Sequence, residues 1–345
     1  MLGFGKNRYS PLGVDLAKDC VCLSQLRRAG GRVVLSGFAS WASEGEAGYA
    51  GVAEQVVQSL KRDRFLGRRV VVRVPDHLLN IKNVRIPTLP DDELEEAVRW
   101  EAGERLNINP DESIIRFYDA GEVRQGSETR REIIILAAPA QPLNELTEAL
   151  DANGLEVLAL EAAPTMLARF QGYIEESVYV SAGDAEAPHV ILHIGAEHTW
   201  VLIADCGRLV FVRQMPVGSL DLGQQQQAQA SAEEPERATY DLDDPEPRTQ
   251  ARPRVDVGQE LALCLRYHGV TFPGRRPETA WLFAPDEVLA GVADSISSRT
   301  HLAVISPATI TEALPDLSGD TDEPLSQIAP SLALAMNWPG GRLAA

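Results

Sequence analysis

One pattern restricts the fold of this chain more than any other: a β-meander that occurs once in each half. Residues 11–16 are a short apolar run. Residues 20–26 alternate apolar and polar, and residues 32–41 alternate again, with Ala29-Gly30-Gly31 as the hairpin turn between them. Residues 189–194, 199–204 and 209–215 repeat that order, with Asp205-Cys206-Gly207 as the turn. What repeats is the succession of strand, short polar loop with glycine, strand, turn and strand, not residue identity.

Helical and strand periods fill the space between the meanders. Residues 50–64 carry apolar side chains three and four apart, which predicts a helix, and residues 69–74 read as a strand closed by Pro75-Asp76. Residues 81–86 alternate, with Ile81, Asn83 and Arg85 on one face. Leu89-Pro90-Asp91-Asp92 opens a helix with acids in its first turn, where the helix dipole favours them, and Leu94, Val98, Ala102 and Leu106 form its apolar stripe. Strands at 114–120 and 131–138, a helix at 142–152, a strand at 155–160 and a helix at 163–173 follow. This order describes a small α/β unit inserted into a larger one. Residues 223–254 begin with a glutamine run and continue rich in Pro, Glu, Asp and Arg. Such a stretch buries too little apolar surface to offset its ordering entropy, so it is expected to be a disordered linker. Beyond it the pattern predicts helices at 255–267 and 286–298, strands at 279–284 and 303–305, and a closing helix at 328–336.

The charge balance narrows the partners. At a formal net charge of −18 over 345 residues the chain lacks the clustered Lys and Arg that phosphate backbones require, so no nucleic acid is expected. A protein partner carrying basic residues fits that charge. The four cysteines, Cys20, Cys22, Cys206 and Cys264, have no spacing that makes a metal quartet and read as reduced thiols. His193, Glu197 and His198 straddle a strand end and a loop without a fourth ligand, so no metal is assigned to them. No Ser/His/Asp or Cys/His set appears, and no small-molecule substrate is implied. No apolar stretch reaches the length that spans a bilayer, and the first residues, with Leu2 and Phe4 beside Lys6 and Arg8, lack the apolar core of a signal peptide.

A meander in each half, separated by an inserted unit, resembles the actin-like superfamily, and within it the PilM family of type IV pilus and related secretion machines, relatives of FtsA. Gly13-Val14-Asp15 and the turn to Val21 resemble that family's first phosphate loop. Trp100-Glu101-Ala102, with Leu106 and Pro110 after it, resembles its inserted subdomain. Ile194-Gly195-Ala196 resembles the second phosphate loop, and residues 329–335 resemble the closing helix. The resemblance implies an α/β, ribonuclease H-like duplicated fold with the last small subdomain largely missing. Its units would be residues 1–74 with 161–188 as the first subdomain, 75–160 as the insert, and 189–222 with 255–338 as the second subdomain, joined through the 223–254 linker.

Departures from the pattern set the functional expectation. Active members carry an acid in both phosphate loops, which orient Mg²⁺ and the attacking water. Asp15 supplies the first, but His193 holds the second position, and imidazole is a poor partner for a hard cation. Lys18 can contact a phosphate, whereas Asp19 repels one. The strand at 279–284 is followed by Pro285-Asp286-Glu287 in place of a glycine pair. The expected nucleotide-facing residues are therefore a degenerate set: Asp15, Lys18, Gly195, Ala196 and Glu197. No cofactor is firmly implied; the retained Asp15 and Gly195-Ala196 leave ATP and Mg²⁺ open, with hydrolysis not expected. The resemblance further implies a cytoplasmic protein, peripheral to the inner membrane, that holds the N-terminal tail of a PilN-like membrane protein in a groove between the first subdomain and the insert. Arg73, Val74 and Leu79 are the residues expected to wall it. The alternative is a nucleotide-binding switch or ATPase in the same machinery.

Overall fold

The computed structural model describes residues 8–43, 48–63, 65–179, 187–205, 208–233, 255–274, 276–318, 321 and 323–338. The chain opens with β1 (Tyr9–Leu16), β2 (Cys20–Ala29) and β3 (Arg32–Ala42), an antiparallel meander whose β2–β3 turn places Gly30 and Gly31 at φ of 59° and 81°. That left-handed pair is what a two-residue hairpin loop needs. Helix α1 (Gly48–Arg62) crosses to β4 (Arg69–Arg73), which pairs parallel with β1. There follow β5 (Asn80–Pro87), α2 (Asp91–Leu106), β6 (Ser113–Gln125) and β7 (Glu128–Pro139), then α3 (Ala140–Ala152), β8 (Glu156–Glu161) and α4 (Ala163–Tyr179).

The second half repeats the plan. Strands β9 (His189–Ile194), β10 (Thr199–Asp205) and β11 (Arg208–Met215) form its meander. Helices α5 (Ser219–Glu233) and α6 (Val257–Thr271) lead to β12 (Thr279–Phe283), parallel to β9, and α7 (Asp286–Thr300) leads to β13 (Ala303–Ile305). Helices α8 (Pro307–Ala313), α9 (Pro315–Ser318) and α10 (Leu325–Ala335) close the described chain.

The sheet orders are β3-β2-β1-β4-β8 and β11-β10-β9-β12-β13. Each has three antiparallel strands and then two parallel crossovers, so the halves are duplicates of one ribonuclease H-like sheet and the frame is actin-like, as the paired meanders imply. The inner strands β1, β4, β9 and β12 are near-continuously buried, because helices cover both faces of the sheets. A separate sheet, β5-β7-β6, carries α2 on one face, where Val84, Ile86, Ile133 and Ile135 meet Leu94, Val98 and Ala102. Strand β8, expected within the 75–160 insert, hydrogen-bonds instead to β4 in the first sheet, and α3 contributes Leu146 and Leu150 to that sheet's core. The inserted sheet therefore covers residues 80–139. The expected 223–254 linker is helical at its start, since α5 continues to Glu233; residues 234–254 lie outside the described residues, and so do the first seven.

Helix α10 returns to the first half and lies on β1 and β2. A Cβ at Gly13 would stand 1.9 Å from the Ser331 carbonyl oxygen and 2.6 Å from the Ala335 nitrogen, so only glycine admits the helix this close. Ser24 and Ser331 share a hydrogen bond of 2.6 Å across the contact. No helix among the described residues is long and apolar enough to cross a membrane.

Candidate functional site

The C-terminal ends of β1 and β4 face the second meander across the seam between the halves. Arg73, the last residue of β4, is buried there with its side chain only 4 % exposed. It donates to Asp15 Oδ1 at 2.8 Å and to Asp76, which sits in the 3-10 turn after β4. Asp76 in turn accepts a hydrogen bond of 3.2 Å from Trp200 Nε1 on β10. Trp200 pairs in register with His193 of β9, so the cluster reaches from the first half into the second.

Its electrostatics follow from burial. Burial works to lower the Arg73 pKa, but the carboxylates of Asp76 and Asp15 outweigh it and raise the value above the usual range, so Arg73 is a fixed cation. Burial also pushes Asp15 upward, against the opposing charge and hydrogen bond of Arg73. His193 is lowered to about 3, first by burial and then by the Arg73 charge, and is neutral at ordinary pH. Arg73 Nε, Asp76 Oδ1 and His193 Nδ1 have no hydrogen-bond partner among the described residues. A buried ionic cluster that is partly satisfied adds little net stability, and its better-attested value is to specify one arrangement.

The two loops that resemble phosphate loops meet above this cluster. Lys18 and Glu197 form an ion pair between them. The Gly195 amide is taken by the His198 carbonyl at 2.9 Å. The Gly195 and Ala196 carbonyls accept from the amides of Ser219 and Leu220 at 2.9 and 3.2 Å, so the loop itself caps the start of α5. A Cβ on Gly218 would lie 2.1 Å from the Ala196 carbonyl oxygen, which shows how closely the two are pressed together. An anion site at a helix start needs free amides, and these are engaged. A divalent cation on Asp15 would have to sit beside the guanidinium that already holds that carboxylate, a like-charge contact in a poorly screened place. The residues present do not fit a metal-bound nucleotide. Among the described residues, no group of three or more His, Cys, Asp or Glu is arranged to hold a metal ion.

The structure thus places Asp15, Lys18, Gly195, Ala196 and Glu197 along one seam, with Lys18 and Glu197 paired to each other and the polar groups of Asp15, Gly195 and Ala196 engaged by Arg73, His198, Ser219 and Leu220. The expected groove residues fare differently. Arg73 is the centre of the buried cluster, and Val74 and Leu79 are 6 % and 7 % exposed. Strand β4 lies between β1 and β8, so it has no free edge with which an extended peptide could pair. Sequence reading missed Asp76 and Trp200 altogether, because nothing local ties a residue after β4 to an indole more than a hundred positions away.

A groove does exist one layer further out. A cavity of about 470 Å³ is lined by Leu79 (one of the expected groove residues), Ile81 and Lys82 of β5, Val212 and Arg213 of β11, and Leu263 and Tyr267 of α6. Strands β5 and β11 are each terminal in their sheets. Leu263, Tyr267 and Val270 form an exposed apolar stripe along α6. Polar contacts hold the inserted sheet in place beside it. Asn83 Nδ2 donates to the Val212 carbonyl at 3.0 Å, Arg85 donates to Glu132 at 2.8 Å and to Thr271 at 2.6 Å, and the Tyr267 hydroxyl donates to Glu132 at 2.6 Å. Burial and the Glu132 carboxylate push Tyr267 up to about 12.

Comparison with known proteins agrees with this architecture. Across 95 % of this chain and 97 % of the other, the structure is similar to the PilM–PilN type IV pilus biogenesis complex, with a TM-score of 0.68 at 23 % identity. It is also similar to a Bacteroides thetaiotaomicron protein with an actin-like ATPase fold and unknown function (TM-score 0.48, 9 % identity, 91 % and 98 % of the chains). A third is the ethanolamine utilization protein EutJ from Carboxydothermus hydrogenoformans (TM-score 0.47, 14 % identity, 95 % and 89 %). The family model for the type IV pilus assembly protein PilM matches residues 13–247, both meanders and the inserted sheet included, and the chain belongs to that family.

Proposed function

We propose that this protein is a non-catalytic scaffold of a type IV pilus assembly that holds the tail of a PilN-like membrane protein in the groove between β5, β11 and α6. The observation that carries this reading is the groove itself: two terminal strands and an exposed apolar helix stripe around one cavity. An extended tail lies along the β5 and β11 edges beside the Asn83–Val212 hydrogen bond and sets alternate apolar side chains against Leu263 and Tyr267. Lys82 and Arg213 line the groove; Arg213 is paired with Glu260 at 3.0 Å, so Lys82 is the cation that suits a tail with a carboxylate near its apolar residues. This differs from the basic tail that the net charge alone suggests. The absence of turnover is supported by the engagement of Asp15 with Arg73, by His193 at the second acid's position, and by the loop carbonyls that occupy the start of α5.

Fluorescence anisotropy with a labelled peptide of the PilN-like tail tests the capture. Leu263→Glu is expected to weaken the tail at least about tenfold, roughly 1.4 kcal/mol, and to leave the melting temperature unchanged. Tail binding indifferent to this change would rule out the groove. Metal-dependent ATP hydrolysis lost in Asp15→Asn would overturn the non-catalytic reading and favour a nucleotide switch.

A further inference from the structure

We propose that Arg73 is a resident cation that holds the two halves together, so that closure of the seam needs neither nucleotide nor metal. The inference rests on the reading that the cleft is not a catalytic site. It is independent of where the partner's tail lies.

Among the contacts between the halves, two lie along the cleft at different depths, and a third set fastens the closing helix where it returns to the first half. At the mouth, Lys18 of the β1–β2 turn meets Glu197 of the β9–β10 turn. In the floor, Arg73 joins Asp15 to Asp76, and Asp76 reaches Trp200 in the opposite sheet. At the back, Arg169 of α4 donates to the Ala333 carbonyl of α10 at 2.8 Å and pairs with Glu161 at the end of β8; Glu161 also accepts from Asn337 at 3.0 Å. The ties are not equivalent. The Lys18 and Glu197 side chains are 72 % and 40 % exposed, so water and salt compete with that pair. The floor is less exposed: the Arg73 and Asp15 side chains are each 4 % exposed, and that of Asp76 is 19 % exposed.

Arg73 is suited to this position by its chemistry. A guanidinium presents several fixed donors in one plane, so one side chain can serve two carboxylates at once, and it does not deprotonate on burial. Among the described residues it faces Asp15 and Asp76 from its own half, and the neutral imidazole of His193 and the indole N–H of Trp200 from the other. Asp76 is the hinge-pin of the arrangement. It is held by Arg73 on one side and holds Trp200 on the other, so charge placed in the first half fixes a side chain of the second. Removing Arg73 would leave the buried Asp15 carboxyl and the partly exposed Asp76 carboxylate without their shared cation, and the seam would open to let water reach Asp15.

Hydrogen exchange followed by mass spectrometry on the whole chain tests this in three samples. In Arg73→Gln and in Asp76→Asn, amides of residues 76–79 and 194–200 are expected to exchange at least about tenfold faster than in the unaltered protein, with α3 and β8 unchanged. The unaltered protein with millimolar Mg²⁺-ATP is expected to exchange at its unliganded rate. Unchanged seam exchange in either folded variant overturns the proposal. So does a tenfold slowing of the seam by Mg²⁺-ATP in the unaltered protein, an arm that depends on no variant folding. ATP turnover and tail affinity measured on the same samples separate failure of this inference from failure of the scaffold reading.

Discussion

Replacing Gly13 by alanine puts a single methyl where the structure has none to spare. Its Cβ would lie 1.9 Å from the Ser331 carbonyl oxygen, 2.6 Å from the Ala335 nitrogen and 3.0 Å from Leu334 Cβ. Two of these are backbone atoms of α10, so no side chain can rotate out of the way. Restoring an ordinary contact near 3.4 Å requires the helix to retreat by more than an ångström from β1. That movement breaks the Ser24–Ser331 and Arg169–Ala333 hydrogen bonds, each worth about 1 kcal/mol net. It also loosens Ile328, Ala329, Leu332 and Ala333, all fully buried against the core. Overpacking itself costs about 1–3 kcal/mol, so Gly13→Ala is expected to destabilise the protein by roughly 3–5 kcal/mol in total. Urea denaturation followed by far-ultraviolet circular dichroism measures it. The matched control is Gly269→Ala, a glycine within α6 whose Cβ would meet nothing within 4 Å. There the change should stabilise the helix by about 0.5–1 kcal/mol. A Gly13→Ala protein within about 1 kcal/mol of the parent would refute the argument that this glycine exists to seat the closing helix.

Other consequences are as direct. His193, with its folded pKa lowered to about 3 from an ordinary 6.5, stays neutral while the unfolded chain takes up a proton. Its contribution is whole above pH 6.5 and is lost as pH falls towards 3, at about 1.4 kcal/mol per unit. Buried His268, also lowered by burial, acts in the same sense; melting temperatures between pH 7 and pH 4.5 should therefore fall less steeply in His193→Gln than in the parent, and equal slopes would contradict the assignment. Glu132→Gln removes the carboxylate that holds both Arg85 and Tyr267, and denaturation should show a loss of about 2–3 kcal/mol, while Tyr267 should ionise below its present value of about 12 in a spectrophotometric titration. Lys18→Ala, by contrast, deletes an exposed pair and should shift stability by no more than about 1 kcal/mol, less at high salt. At Gly258 a Cβ would stand 2.3 Å from the Ser295 carbonyl oxygen, so Gly258→Ala should separate α6 from α7 at a cost of about 1–3 kcal/mol.

Much of the frame is legible along the chain because its signals are local. Alternation over 20–26 and 32–41 marks β2 and β3, the Gly30-Gly31 pair marks the turn, and the three-and-four spacing of Leu94, Val98 and Ala102 marks α2. Even the shared face of Cys20 and Cys22 follows from a strand's period of two, and their sulfurs lie 3.8 Å apart. The partnership of strands is less visible. β8 reads as the end of an inserted unit because it follows that unit in sequence, but the free edge of β4 draws it into the first sheet. The glutamine-rich start of 223–254 reads as linker by composition, yet α5, begun at Ser219 with Leu222 buried in the core, runs on to Glu233.

The site divides the same way. By itself the sequence determined that Asp15 lies near the end of a strand and that the order of strand, loop, strand, turn and strand recurs, since each of these is written in a few adjacent residues. Only the tertiary structure decided what the charges do. Arg73 looks like a groove residue until β4 is seen between two neighbours, where its guanidinium has no exit to water and must find carboxylates. Asp15 and Asp76 supply them from 58 residues before and 3 residues after it, and Trp200 completes the cluster from 124 residues beyond Asp76. The groove is equally a product of assembly, since β5, β11 and α6 each bring an unremarkable strip of chain to it. Local pattern fixes which residues form a strand or a helix, because those interactions span a few positions. Which carboxylate a buried cation meets depends on contacts between segments far apart in sequence, and these exist only once the halves have closed.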